Sequence, residues 1–354
     1  PYLSRGLGDV YKRQGQECRH VQSSVGILDM SAFSKASVEG SDSETWLNSI
    51  LANKVPSKPG RIALCHMLSL NGGVRAEFTV YRKSRNSFYL VFSGATERHD
   101  WDYLNKLLPK NRSINIQNIT TQKGVFVIAG PKSRSLLQKL TDTSLDNEHF
   151  PWLTGKTVNI GYGIADALRI NFVGELGWEL HHPIEMQNYI FDELMKAGEE
   201  FNIKPFGIRA MDSMRLEKSY RVIPKEMSIE YSAFESGLDR FIKLDKEIDF
   251  LGKSALKKSF DQGNKNRFIT LEIIGTEDAD ARGSEGIFKD GKLVGRVTSG
   301  GFGFRINRSL ALGIVKSEFA EIDESLKVEI LGKKHKARVI SESPYDPENK
   351  VLKS

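Results

Sequence analysis

The 354 residues exceed one average domain, so the length predicts two or three compact units. Hydrophobic residues make up 39% and charged residues 27% of the chain, as in ordinary globular proteins. The net charge of +6 is spread along the chain, without a basic block of the kind that binds nucleic acid. Two cysteines, Cys18 and Cys65, exclude a disulfide scaffold and favour a reducing compartment. The sequence shows no apolar run long enough to span a membrane and no signal-peptide pattern, so we expect no membrane partner.

Residues 1–14 are basic, broken by glycine and without sustained periodicity. We interpret them as a non-native scar; a short native tail is the alternative. The pattern becomes regular from residue 17. It predicts helices over 17–24, 41–51 and 97–108, a hairpin over 61–80, and strands over 25–29, 33–40, 88–92, 114–119 and 124–129.

The hairpin over residues 61–80 is indicated by its turn. Asn71-Gly72-Gly73 separates two largely apolar runs, and glycine readily takes the backbone angles that tight turns need. Glu77 lies in the return strand between Ala76 and Phe78. An acidic side chain in an apolar strand is costly unless it is paired or used, so Glu77 is a candidate functional residue.

Residues 169–180, RINFVGELGWEL, are predicted to form a strand, a tight turn and a second strand. Gly174 and Gly177 bracket the turn, and the carboxylates of Glu175 and Glu179 are expected to lie beside the ring of Trp178. Such a site suits a planar heterocycle that offers two adjacent N–H donors. The alternative is a solvent-facing hairpin whose glutamates contribute only to solubility.

The next segments are predicted to be helices, over residues 131–140, 183–201 and 204–216, with a loop and strand over 152–161. In the last of these helices Arg209, Asp212 and Arg215 are three apart and can share one face. A surface ladder of ion pairs would also explain that spacing.

From residue 267 the chain changes to short strands separated by turns, which is typical of an all-β barrel or sandwich. A domain boundary near residue 260 follows. We interpret Gly300, Gly301 and Gly303 as a turn inside this unit, because the helix of a dinucleotide fingerprint does not follow them. The six predicted strands cover 268–273, 285–289, 295–298, 310–315, 326–330 and 336–340.

The sequence lacks the motifs of several common catalytic and binding sites. His181 and His182 should point to opposite sides of a strand, and no Cys/His cluster has zinc spacing, so we expect no metal site. The chain contains neither a G-x-S-x-G elbow nor a G-x-x-x-x-G-K-[ST] phosphate loop. We therefore expect that this chain lacks a flavin or nicotinamide domain of its own.

Taken together, five ordered motifs resemble the aminomethyltransferase family. This family contains the T-protein of the glycine cleavage system and the C-terminal halves of dimethylglycine and sarcosine dehydrogenases. The resemblance covers residues 17–340, and the forms GELGWEL and MRLEKSYR are more similar to the dehydrogenase halves. The motifs are VGILDMSAFSKASVEG, LSLNGGVRAEFTVYR, RINFVGELGWEL, GIRAMDSMRLEKSYR and GRVTSGGFGFRINRSLALGIV.

The resemblance implies an α+β fold of three domains around a central folate cavity. Residues 15–260 would form two interleaved α+β subdomains that bind folate, and residues 265–354 would contain the C-terminal β-barrel domain. The implied ligand is tetrahydrofolate. FAD would be bound only by a missing N-terminal domain of a larger flavoprotein.

The resemblance also implies site residues. Glu77 matches a catalytic acidic residue that is usually aspartate in the family, and Arg240 stands where relatives usually have an aromatic ring. One glutamate of the GExGxE turn grips the pterin, and the sequence leaves Glu175 and Glu179 as alternatives. The expected folate-binding residues are Glu175, Glu179, Arg209, Arg215, Tyr220, Val173 and Trp178.

The implied reaction is capture of a one-carbon unit from an oxidised N-methyl amine, giving 5,10-methylenetetrahydrofolate. A cis FAD-dependent dehydrogenase domain would supply the oxidised amine, in bacterial cytoplasm or the mitochondrial matrix. Two alternatives remain open: a stand-alone aminomethyltransferase or methyltransferase, and a non-catalytic folate-binding regulatory protein.

Overall fold

The computed structural model describes residues 7–111, 113–276 and 279–354, with side chains from residue 13 onward. Within these residues the helices are α1 (Leu7–Ser23), α2 (Ser43–Ile50), α3 (Glu97–Lys106), α4 (Ser133–Gln138), α5 (Gln187–Gly198), α6 (Ile208–Glu217) and α7 (Lys253–Gln262). The strands are β1 (Gly26–Asp29), β2 (Ser34–Glu39), β3 (Ile62–Leu68), β4 (Val74–Ser84), β5 (Ser87–Phe92), β6 (Asn115–Asn118), β7 (Lys123–Ala129), β8 (Gly155–Ile160), β9 (Gly163–Leu168), β10 (Gly177–Pro183), β11 (Lys204–Pro205), β12 (Asn266–Ile274), β13 (Gly286–Lys289), β14 (Lys292–Gly303), β15 (Arg308–Lys316), β16 (Ser325–Ile330) and β17 (Lys333–Ile340).

The first sheet has the strand order β11-β1-β7-β10-β9-β8. Its pairs are antiparallel except for β1 with β11. One face packs against α4 and α5, where alternate strand residues such as Ile128 and Trp178 meet Leu136 and Ile190. This alternation buries one side of each strand and leaves the other side available for a second layer.

The second sheet has the order β3-β4-β5-β2-β6 and is antiparallel throughout. Phe78 and Leu90 face a core that is closed by α2 and α3. Its opposite face contacts the first sheet, where Tyr81 and Tyr89 pack with Leu168. Strands β2–β6 lie in sequence between β1 and β7, so the segment that forms the second sheet is inserted between two strands of the first.

The third unit is a closed barrel in the order β12-β15-β14-β13-β16-β17. Its interior is filled by aliphatic side chains, including Leu271 and Val328. Helix α6 lies between the barrel and the first sheet, with Leu216 packed against Phe268 and Leu312. The expected α+β fold with a C-terminal barrel is confirmed.

Several local predictions were wrong. Helix α1 begins at Leu7 rather than at residue 17. Residues 1–6 of the segment interpreted as a non-native scar lie outside the described part, and that interpretation stays a prediction. Residues 169–173 are not a strand, and β9, which precedes them, was missed. Gly300, Gly301 and Gly303 are not a turn but pair with β15 inside β14.

The barrel ends at Ile340, and residues 341–354, here called the terminal segment, return to the first sheet. The Lys218 ammonium donates to the carbonyl oxygen of Asp346 at 2.6 Å. The buried Arg169 guanidinium donates to the carbonyl oxygen of Ser354 at 2.9 Å. The terminal segment is thus held by buried cations rather than by strand pairing.

Candidate functional site

Glu77 lies on β4 with its side chain on the face opposite the second-sheet core. Ala76 and Phe78 on either side of it are buried in that core, whereas the Glu77 side chain is 29% exposed. Its Oε1 atom lies 3.0 Å from Nε2 of His66, the cross-strand neighbour on β3. His66 is fully buried. The carboxylate is therefore fixed on one side and accessible on the other.

Glu179 has the same kind of partner on the first sheet. Trp178 and Leu180 point into the core, so Glu179 and His181 share the opposite face of β10. Oε2 of Glu179 lies 3.2 Å from Nε2 of His181, and the hydroxyl of Tyr89 lies 3.0 Å from Nδ1 of the same ring. Since Tyr89 belongs to β5, this chain of contacts connects the two sheets.

The two carboxylates lie on the facing sides of the two sheets. Tyr81 is paired with Tyr89 across β4 and β5, and both rings lie between the sheets. Glu77 is on the same face of β4, four residues before Tyr81, which is about 13 Å along the strand. Glu77 therefore lies beyond the layer of packed tyrosines, on the same side of the second sheet.

Glu175 is differently placed. Its side chain is fully buried, and Oε1 accepts from Nη1 of Arg305 at 2.6 Å and from the Tyr345 hydroxyl at 2.8 Å. Arg305 also donates to the buried carboxylate of Glu217. Burial raises the pKa of Glu175 above its ordinary value, although the Arg305 charge and the Tyr345 hydrogen bond act in the opposite direction. Glu175 therefore serves as an internal link and has no accessible surface for a ligand.

The loop before β10 takes its shape from Asn171. The side-chain oxygen of Asn171 accepts from the backbone N–H groups of Val173 and Gly174, and its amide donates to the carbonyl oxygen of Glu175. Gly174 has φ 77°, and a Cβ there would lie 2.5 Å from Lys218. The predicted strand and tight turn are therefore absent. The loop is shaped instead by the buried Asn171 side chain and by the close approach of Lys218 to Gly174. Val173 is 1% exposed in the core with Met214, away from solvent.

The expectation that the Trp178 ring lies beside the Glu179 carboxylate was wrong. The Trp178 ring is fully buried on the other face of β10, where it meets Phe150 edge-on at 6.1 Å. The guanidinium carbons of Arg134 and Arg169 lie 5.7 and 5.6 Å from the ring centre. Neighbouring side chains of a strand point to opposite faces, so Trp178 and Glu179 lie on opposite sides of β10.

Arg209 and Arg215 do not share a face. Arg209 is exposed in the first turn of α6. Arg215 is fully buried, and its guanidinium donates to Asp212 at 2.7 Å and to the Ser299 hydroxyl of the barrel at 2.8 Å. It also bonds Glu226 at 3.3 Å. Arg215 thus connects α6 to the barrel. The prediction that Arg209 lies on the same face of α6 was wrong.

Tyr220 follows α6 and lies 5.5 Å from Phe172, ring to ring, at a tilt of 34°. Burial raises the pKa of its phenol to about 12, so the hydroxyl is neutral at physiological pH. Arg240 is exposed and extends over Phe241 at 4.7 Å, and Phe241 in turn lies 5.4 Å from His66. The aromatic ring next to Arg240 in sequence, that of Phe241, therefore contacts the histidine that binds Glu77.

Sequence reasoning missed His66, His181 and Tyr89. The available signal was a histidine two residues from Glu179 on the same strand face, and a histidine inside the apolar run of β3. Two surface hollows lie elsewhere, one around Lys265 and Lys316 and one between α6 and β14. Among the described residues no group of three potential metal ligands occurs, and none of the helices is long and apolar enough to cross a membrane.

Comparison with known families gives two matches. A family model described as the GCVT N-terminal domain matches residues 8–246. A second, described as the glycine cleavage T-protein C-terminal barrel domain, matches residues 266–346. The second match begins at the first residue of β12 and covers every barrel strand.

Three individual proteins illustrate the relationship. The chain is 39% identical to mouse mitochondrial dimethylglycine dehydrogenase over 93% of its own length, but it spans only 38% of that relative. It is 31% identical to an aminomethyltransferase of Desulfitobacterium hafniense, covering 92% of the chain and 88% of the relative. The crystal structure of the glycine cleavage system aminomethyltransferase T from Bartonella henselae has the same fold, with a TM-score of 0.84 at 21% identity, over 94% of this chain and 90% of that one.

Proposed function

Because this chain belongs to the glycine cleavage T-protein family, we propose that it binds tetrahydrofolate between its two sheets and transfers a one-carbon unit to it. One observation carries the proposal most directly. Glu77 and Glu179 lie on facing sheets, and each has one oxygen held by a buried histidine.

The donors of a reduced pterin fit these carboxylates. The pterin edge presents an amino group beside a ring N–H, and a carboxylate can accept from both in a paired geometry. Of the two glutamates left open by the sequence, we assign this contact to Glu179. Its side chain is 11% exposed, whereas Glu175 is 0% exposed and is already bonded to Arg305.

Glu77 is proposed to act on the reacting part of the ligand. Bound tetrahydrofolate supplies the nitrogen that accepts the one-carbon unit. The free oxygen of Glu77 would stabilise positive charge that develops there, a contribution of about 2–4 kcal/mol for a well-placed polar group. Tyr220 and Phe172 would offer aromatic surface close to the loop that precedes Glu179.

We further propose that the chain is the folate-dependent part of a larger dehydrogenase of the dimethylglycine or sarcosine type. The 39% identity to the dimethylglycine enzyme supports this, as does 30% identity to mouse mitochondrial sarcosine dehydrogenase over 99% of the chain. A cis FAD domain would oxidise an N-methyl amine, and the product here would be 5,10-methylenetetrahydrofolate. The location would be the mitochondrial matrix or bacterial cytoplasm.

A stand-alone aminomethyltransferase is the second candidate. It is favoured by the bacterial relative of which the chain covers 88%. The two candidates differ in the donor of the one-carbon unit and share the folate site. A methyltransferase would differ in product, because it would form 5-methyltetrahydrofolate.

The test supplies the purified chain and tetrahydrofolate with two donors in separate reactions: dimethylglycine together with a flavin-dependent dehydrogenase, and an aminomethyl donor. Folate products are identified by mass spectrometry. We expect 5,10-methylenetetrahydrofolate with the first donor, at a rate that falls at least about tenfold in Glu77→Gln. The control Glu39→Gln changes an exposed carboxylate of the same sheet and should leave the rate unchanged. Equal rates with and without the chain would contradict the proposal.

A further inference from the structure

Each of the two carboxylates, Glu77 and Glu179, contacts its own histidine, and in both cases through the same ring atom. In both pairs Nε2 of the imidazole faces the carboxylate, at 3.0 Å for His66 with Glu77 and 3.2 Å for His181 with Glu179. An ionised carboxylate only accepts hydrogen bonds, so each Nε2 must carry a proton. The remaining question is whether Nδ1 carries one as well.

For His181 the answer comes from Tyr89. The Tyr89 hydroxyl lies 3.0 Å from Nδ1, and both side chains are buried. Burial raises the pKa of the Tyr89 phenol well above its ordinary value, so the hydroxyl keeps its proton. The hydroxyl makes no other hydrogen bond within the described part of the chain, so only donation to Nδ1 satisfies that buried proton. A phenol that donates to Nδ1 requires an unprotonated Nδ1. His181 is then a neutral imidazole that accepts from Tyr89 and donates to Glu179.

For His66 the answer comes from burial. Nδ1 of His66 is buried and makes no hydrogen bond within the described part of the chain, and the ring packs against Phe241 at 5.4 Å. A proton on Nδ1 would be an unpaired donor, and on a charged ring it would also be a poorly solvated cation, both costly in such surroundings. The neutral ring with its proton on Nε2 leaves Nδ1 as an unpaired acceptor but places no charge in these surroundings.

We propose that His66 and His181 are positioning residues that orient Glu77 and Glu179 through neutral Nε2–H groups, leaving both carboxylates fully charged. The buried carboxylates of Glu175 and Glu217 provide the contrast, because both are bonded to Arg305. Hydrogen bonds from neutral rings fix the direction of a carboxylate without cancelling its charge. As a role in one-carbon transfer, the inference rests on the proposed function.

The protonation of the rings is tested without any folate. The full chain is labelled with ¹⁵N-histidine, and long-range ¹H–¹⁵N correlation spectra are recorded at pH 7.5. The spectra are assigned with His66→Gln and His181→Gln. We expect the pattern of the neutral Nε2–H tautomer for both rings. An imidazolium pattern or an Nδ1–H tautomer for either ring would overturn the proposal, whether or not the chain binds folate.

The positioning role is tested by rescue. Glutamine can place an N–H near the position of Nε2, whereas leucine keeps bulk and offers no donor. We expect His66→Leu and His181→Leu to weaken tetrahydrofolate binding or lower the one-carbon transfer rate by about tenfold or more, and the glutamine variants to stay within about threefold of wild type. Equal losses in leucine and glutamine variants, or no loss in either, would overturn the role.

The matched control is His182, which is also buried on β10 but faces the opposite side and contacts Gln187 through Nε2 at 2.7 Å. Its leucine and glutamine variants should not differ from each other in folate binding or transfer rate. If a leucine variant fails to fold, Tyr89→Phe removes only the hydroxyl that faces Nδ1 of His181. Nδ1 of His181 would then be buried and unpaired, like Nδ1 of His66, so the proposal requires the spectrum of Tyr89→Phe to keep the neutral Nε2–H pattern at His181. An imidazolium or Nδ1–H pattern in this variant overturns it.

Discussion

Arg305 and Glu175 form an ion pair at 2.6 Å in which neither side chain is exposed. The pair joins the barrel to the loop that precedes β10. The same guanidinium reaches Glu217 on α6, and its carbon lies 3.9 Å from the ring centre of Tyr345 in the terminal segment. One arginine thus connects four parts of the chain that are far apart in sequence. The position of the Glu179 strand relative to the barrel depends on it.

Arg305→Met should destabilise the protein strongly. It leaves Glu175 and Glu217 buried without a counter-charge, and breaking a buried pair costs about 3–5 kcal/mol. Denaturant unfolding measures the loss. Adding Glu175→Gln and Glu217→Gln to Arg305→Met should recover part of it, because the unpaired charges are removed.

The control for this experiment is Arg296→Met. Arg296 pairs with Glu230 at the surface, with the two side chains 44% and 54% exposed. An exposed pair contributes at most about 1 kcal/mol, so this variant should unfold close to wild type. Equal destabilisation by both variants would show that the buried pair has no special weight.

Two neighbouring glycines of β14 should respond differently to alanine. A Cβ at Gly300 would lie 2.5 Å from the carbonyl oxygen of Ala281, which is backbone and cannot move alone. A Cβ at Gly301 would meet only a side-chain atom of Leu216 at 3.3 Å. Gly300→Ala should cost about 1–3 kcal/mol by overpacking, and Gly301→Ala less than about 1 kcal/mol. Thermal unfolding of the two variants measures the difference. A larger loss of stability in Gly301→Ala than in Gly300→Ala would contradict this packing.

Buried tyrosines make stability fall at high pH. Burial raises the pKa of Tyr81 and Tyr220 to about 12, against about 10 in an unfolded chain. Between these values the folded state holds protons that the unfolded state releases, so the free energy of unfolding falls as the pH rises from about 10 to about 12. When the native protein is titrated with base, part of the phenolate absorbance should appear only near pH 12. That part should be smaller in Tyr220→Phe than in wild type. Complete ionisation near pH 10 without unfolding would contradict this.

The architecture was predictable because local signals and burial agreed. The Asn71-Gly72-Gly73 turn and the apolar period on both sides of it predict the β3–β4 hairpin, and the costly position of Glu77 makes it a candidate functional residue. The barrel strands were predictable for the same reason, since each has a short apolar run between turns. Family motifs added the order of the units, which periodicity alone does not reveal.

The site was only partly predictable because long-range partners decide it. Glu175 and Glu179 are equivalent in sequence, and distant partners distinguish them, since Glu175 binds Arg305, 130 residues away, and also Tyr345. Asn171 looks like one residue of an alternating strand, but its side chain folds the loop back on itself. The terminal segment was not separated from the barrel, because its contacts are made by Lys218 and Arg169 in distant elements.

The central claim is that Glu77 and Glu179, and not Glu175, contact the folate. Calorimetric titration of tetrahydrofolate into wild type and three folded variants, Glu77→Gln, Glu179→Gln and Glu175→Gln, tests it most directly. A hydrogen bond to a charged group contributes about 1.5–3 kcal/mol, so the first two variants should bind about tenfold or more weakly. Glu175→Gln should stay within about threefold of wild type. Equal affinity in wild type, Glu77→Gln and Glu179→Gln, or the largest loss in Glu175→Gln, would contradict the account.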